Sequence, residues 1–162
     1  MARAERESGR LRAFRAVWEE GNRAWDDGDF KRTYGGLPDD FDYRPLESWP
    51  HARPLRGPAE IVPFFEDFQE SFPDVRTEVL EFIEGDERTV IVGFRVIGTG
   101  ESSGASTEME VWQVWEVREA SELMPPRSAT GLGMVPFRVR EFGHRGAALK
   151  AAGAGTRDRE AP

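Results

Sequence analysis

The order of hydrophobic patterns along this chain predicts an α+β domain in which a curved sheet wraps around helices and encloses an aromatic-lined cavity. Three observations carry that expectation. Apolar residues recur at helical spacing in the first part of the chain, and they alternate with period two in the second half. The chain also holds 5 Trp and 11 Phe, more ring surface than a plain aliphatic core needs.

Each element follows from its residues. Leu11, Phe14, Val17, Trp18 and Trp25 share one helical face, so a first helix is expected over about residues 5–27,. Asp27-Gly28-Asp29 supplies a stop and a new N-cap, and a short helix covers 30–34 before Gly35-Gly36,. The segment 40–44 alternates and fits a short strand, whereas 45–56, with three prolines and Trp49, reads as an ordered loop,. Gly57-Pro58-Ala59-Glu60 opens a helix with apolar stripe Ile61, Phe64, Phe65, Phe68 and Phe72,. Pro63 removes a donor within it. Strands follow at 75–84, 89–98, 106–118 and 135–142, with turn glycines at 85 and between 98 and 104. A short helix closes the chain over 143–152. Residues 119–134 form a long irregular insertion between the last two strands, and 154–162 a flexible tail beyond a single domain of 1–153.

Composition narrows the function classes. At 162 residues the chain is long enough for one substantial core,. A net charge of -8 disfavours nucleic acid as a partner,. No apolar run spans a bilayer, and no secretory signal opens the sequence, so a cytoplasmic protein without a membrane partner is expected. The chain has no cysteine, which removes disulfides and thiolate chemistry,. Its 2 histidines lack ligand spacing, so no metal or other cofactor is expected,. Gly98-Thr99-Gly100 and Gly131-Leu132-Gly133 do not sit between a strand and a helix, and read as turns.

The third long strand is the informative one. Thr107, Met109, Val111, Gln113, Trp115 and Val117 share a face that is apolar apart from one amide, so Gln113 points inward and needs a partner,. Arg95, Glu141, Tyr43, a water or a ligand oxygen are the candidates, and Gln113→Leu is expected to cost little stability. The opposite face carries Trp112 and Val114 between Glu110 and Glu116, a pattern expected of a homodimer interface with a polar rim. The competing account is that the terminal segment covers Trp112 within one chain. In the last strand Val135, Phe137, Val139 and Glu141 share a face.

Trp25 to Phe30, the strand over 37–43, Arg56 to Ile61 before Phe64-Phe65, and Phe137 to Phe142 followed by 147–153 together resemble the SnoaL-like branch of the nuclear transport factor 2-like superfamily. The resemblance spans roughly residues 10–153. It implies a cone of mostly antiparallel sheet around three helices, a pocket at the wide end and frequent homodimers. It also implies members that are isomerases, cyclases, hydrolases or non-enzymatic modules. In the ketosteroid isomerases and SnoaL-type cyclases an acid stands where Gln113 stands here. The isomerase base falls near Pro45, and the Asp-Arg-Asp set of the limonene epoxide hydrolases loses an acid at Gln113.

Three classes of function remain open. The first is a pocket protein binding or transforming a small apolar molecule of polyketide, terpenoid or steroid type. The second is a cofactor-independent enzyme using His51 with Asp40 or Glu141 for proton transfer. The third is a dimeric interaction module whose pocket is filled by its own rings. Gln113, Trp18, Tyr34, Tyr43, Phe65, Arg95 and Trp115 are the candidate ligand contacts, and Trp25, Phe64 and Phe68 divide between pocket and core. His51 is otherwise a solvated loop residue, Asp40 with Asp39 and Asp42 a water-facing cluster, Arg95 a rim ion pair with Glu141, and His144 a capping or solubilising residue.

Overall fold

The computed structural model describes residues 7–99, 106–119 and 134–160, with backbone alone at 99, 106, 119, 134 and 154–160. Helix α1 (Gly9–Asp26) starts where the Ser8 hydroxyl accepts the Leu11 N–H at 3.0 Å,. Arg10 anchors that end, donating to Glu84 Oε1 at 3.1 Å and to the carbonyls of Asp86 and Glu87. Asp29 caps α2 (Phe30–Tyr34) through the Arg32 N–H. Two short strands, β1 (Asp42–Arg44) and β2 (Leu55–Arg56), bracket the proline-rich loop. Helix α3 (Gly57–Ser71) then opens on a residue that must be glycine: Gly57 has φ +69°, and a Cβ there would overlap the Asp39 carbonyl,. Pro63 lies inside α3, which runs on through it.

Strands β3 (Arg76–Glu84), β4 (Thr89–Thr99), β5 (Ser106–Glu119) and β6 (Met134–Phe142) fall within two residues of their expected bounds. The order across the sheet is β2-β1-β6-β5-β4-β3. All neighbours are antiparallel except β1 and β6, and the sheet does not close into a barrel. Helices α1, α2 and α3 pack on the inner face, giving the expected α+β architecture. The closing helix α4 (Arg145–Glu160) runs past its expected end at 152, as helical backbone into the segment read as a tail. Its start is capped by His144, whose Nδ1 accepts the Ala147 N–H at 3.1 Å,. The insertion at 119–134 and the glycine turns after Thr99 lie almost wholly outside the described residues.

Two hydrophobic clusters sit on opposite sides of the sheet. On the inner side Phe65 is the hub: the rings of Trp25, Phe30, Tyr34, Tyr43, Trp49 and Phe64 lie with centroids 5.1–5.9 Å from it. Each such pair contributes about 0.5–1.5 kcal/mol beyond its area burial. On the outer side Ile91, Trp112 and Val114 pack under Ala148 and Leu149 of α4. This corrects the expectation of an exposed dimer face. Trp112 and Val114 are 3% and 0% exposed within one chain because the terminal helix covers them. The homodimer expectation loses the surface on which it rested.

A second correction concerns β6. Between Glu116 and Val117 the β5–β6 register slips so that Val117 pairs with Pro136 and Phe137 is the extra residue, a β-bulge,. The bulge flips the facing of the strand. Glu141 and Val139 point inward, as the alternation predicts, but Pro136 and not Phe137 reaches the inner side. Phe137 lies between the guanidiniums of Arg118 and Arg138, 5.2 and 5.8 Å from its ring centroid,.

Candidate functional site

The inner face of the sheet and α1 enclose a cavity of about 140 Å³. Helix α1 presents Phe14, Val17, Trp18 and Trp25, α2 Tyr34, α3 Phe65, and the sheet Tyr43, Phe94, Gln113, Trp115 and Glu141. Val17, although apolar, is 44% exposed, which marks the α1 side as the rim. No Lys, Arg or His occurs among the described residues that line the space.

Its polar wall is a pair of opposed residues. Gln113 on β5 and Glu141 on β6 are direct cross-strand partners, and the amide Nε2 donates to Glu141 Oε2 at 2.8 Å,. Two indoles fix the orientation of that amide. Trp18 Nε1 and Trp115 Nε1 donate to Gln113 Oε1 at 3.0 and 2.8 Å. An indole N–H can only donate, so the amide oxygen must face the tryptophans and its nitrogen must face the acid. Glu141 Oε1 in turn accepts the Trp49 indole N–H at 2.8 Å and the Leu46 backbone N–H at 3.2 Å. The Tyr43 phenol stands beside the same carboxylate.

Glu141 is therefore buried, at 7% exposure, among neutral donors. Burial lifts its carboxyl above the ordinary carboxylate range, against the opposing pull of Gln113, Tyr43, Leu46 and Trp49,. Burial first, and the Glu141 charge second, push the Tyr34 and Tyr43 phenols well up, so both stay protonated. A smaller polar group lines another part of the wall. Thr77 Oγ1 bonds Asn22 and Asp26, and burial raises the Asp26 carboxyl.

The fold gathers some of the candidates and scatters others. Trp18, Tyr34, Tyr43, Phe65, Gln113, Trp115 and Glu141 all border the cavity. Arg95 does not. It shares the outer side with Gly93 and Trp112, and its guanidinium pairs with Glu108 at 3.1 Å, not with Glu141. Asp40 is exposed and faces Arg118 at 3.7 Å. His51 is exposed on the loop, at φ 59°, away from the cavity lining. The set of His51 with Asp40 or Glu141 is thus not assembled, because two of its members face solvent. The low cost expected for Gln113→Leu is also corrected: that change would strand two indole donors and one bond to the acid. Sequence reasoning missed Trp49 and the Leu46 N–H as ligands of the acid. A tryptophan in a proline-rich loop carries the relevant signal, since a buried indole N–H demands an acceptor. Asn22, Thr77 and Phe94 were also missed. Among the described residues no cluster of acids and histidines could hold a metal, and no helix is long and apolar enough to cross a membrane.

Comparison with solved structures gives the same architecture at low sequence identity. TerC, co-crystallised with polyporic acid, has 14% identity and TM-score 0.59, over 86% of this chain and 97% of that one. A nuclear transport factor 2-like protein from Burkholderia thailandensis has 20% identity and TM-score 0.61, over 86% and 95%. ActVI-ORFA from Streptomyces coelicolor has 13% identity and TM-score 0.60, over 84% and 95%. No curated protein sequence matches the chain. The model of the SnoaL-like domain matches residues 11–121, from α1 through β5. With that stretch covering most of the chain and the cone of sheet around its helices in place, the protein belongs to the SnoaL-like family.

Proposed function

We propose that the protein binds a small apolar organic molecule in the α1–sheet cavity, with Gln113 and Glu141 as the polar end of the site. The observation that carries the reading is the Glu141 carboxylate, buried in an aromatic wall and held by neutral donors from three residues. A site built for stability alone favours apolar side chains, because a buried ionisable group is destabilising. The open volume supports a ligand site over an interaction module filled by its own rings. TerC, which shares the fold, was crystallised with polyporic acid.

An enzymatic reading is favoured by the same acid. Burial raises its carboxyl above its ordinary value, the direction that suits a general acid or base,. Of the three proton-transfer candidates, Glu141 alone borders the space where a substrate would lie. In this reading Gln113 positions the acid and Tyr43 is the hydrogen-bonding group beside it.

The 5 tryptophans provide the test. Trp18, Trp25, Trp49 and Trp115 line the cavity, whereas Trp112 lies across the sheet under α4. Titration with benzyl alcohol, followed by the indole N–H resonances, should shift cavity tryptophans and leave Trp112 in place. Movement of Trp112 alone, or of none, would remove the cavity as the binding site.

A further inference from the structure

We infer that the cavity selects a ligand of single-ring size carrying a positive charge, and discriminates against carboxylates. The inference rests on the ligand-site reading above and adds to it the charge and size of the occupant. The space is about 140 Å³. A cavity of about 150 Å³ in another protein takes up benzene, so the space here holds one ring with a small substituent.

Charge follows from what the wall contains and what it lacks. The donors on Glu141 are an amide, an indole and a backbone N–H, all neutral, with the neutral Tyr43 phenol beside them. They satisfy its oxygens without cancelling its charge. No cationic side chain occurs among the described lining residues, so a ligand carboxylate would meet the acid unscreened in a poorly solvated space,. An ammonium group meets the opposite field. Trp18, Tyr34, Trp49 and Trp115 surround it with aromatic rings, the surroundings that stabilise a desolvated cation,. Room for a bond to the acid also exists. The indole, amide and backbone donors are held by their frames, whereas the Tyr43 hydroxyl beside the acid turns about its C–O bond and can make way for an ammonium N–H.

Three single-ring probes of similar size test this: benzylamine, benzyl alcohol and benzoate, near neutral pH, where the amine is protonated. Binding is read from the cavity indole resonances. The expected order is benzylamine tightest, benzyl alcohol roughly tenfold weaker, and benzoate weaker again. Glu141→Gln should erase the advantage of the amine over benzyl alcohol. Tyr43→Phe, which removes the hydroxyl beside the acid, should favour the amine over the alcohol by a further few-fold. The wild-type order is decisive even if Glu141→Gln fails to fold. Any order in which benzylamine is not tightest overturns the charge selection and leaves the ligand site standing. An amine advantage that survives Glu141→Gln undiminished overturns it too. Failure of all three probes to move any cavity indole overturns the ligand-site reading and this inference together.

Discussion

Strand β5 carries Trp112 and Trp115, and the sheet places these two indoles in opposite surroundings. Trp112 lies on the outer face, where a Cβ at Gly93 would overlap its ring, and α4 closes over it. Trp112 is 3% exposed there. Trp115 lies on the inner face, with Phe14 and Phe41 rings 5.9 and 5.8 Å away and its N–H on Gln113. There the packing stops short and leaves a cavity with a buried acid in its wall. The outer face spends its apolar area on stability. The inner face gives some of that stability up to keep a space and a charge, which is the difference expected between a structural surface and a binding one.

Four measurements would break or sharpen that contrast. Trp112→Ala should have the largest effect, about 3–5 kcal/mol by urea denaturation. Its remaining cavity indole resonances should stay in position, and if they move the two faces are coupled. Gln113→Leu should cost about 2–3 kcal/mol, because it strands the Trp18 and Trp115 N–H groups and one Glu141 oxygen,. A cost near zero would mean that water from the cavity replaces the amide.

The third measurement is the pH dependence of stability. Burial raises the Glu141 carboxyl from its ordinary value of 4.5, so the folded state binds its proton more tightly than the unfolded chain,. This contribution is full below that value and is lost as pH rises through the folded pKa. Asp26 acts in the same direction, so the comparison must be with Glu141→Gln, which should flatten the slope and not abolish it. An unchanged slope in the variant would remove Glu141 as its source. The smallest effects belong to Arg95→Gln and Asp40→Asn. Both sit in exposed pairs and should change stability by less than about 0.5 kcal/mol and ligand binding not at all,.

The legibility of the site follows from the same geometry. Period-two alternation assigns Gln113 inward and Trp112 outward without further information, and the β5 register bears this out. The Gln113–Glu141 bond was one of several partners open to Gln113, since parity names a face and not a neighbour. The register of β5 against β6 supplies the neighbour. Three residues resisted in different ways. Trp112 reads as an interface because its cover, α4, lies over 30 residues away in sequence. Trp49 sits in a loop without periodicity, so no pattern aims it at Glu141. Arg95 is correctly placed opposite Phe94, but which acid it meets depends on the strand beside it.

The bulge at Phe137 has a consequence for how this protein can change. It stands between the segment at 120–133 and the half of β6 that bears Val139 and Glu141. A one-residue slip in an unbroken strand would turn every later side chain over, and Glu141 with them. A strand that already carries one surplus residue can absorb or lose another at that point, so length variation upstream need not pass into the half of β6 beyond it. Pro136 beside it suits the arrangement, having no backbone donor to leave unpaired where the ladder is interrupted. Lineages of this chain could thus vary the length of the chain before the bulge while the acid keeps its heading.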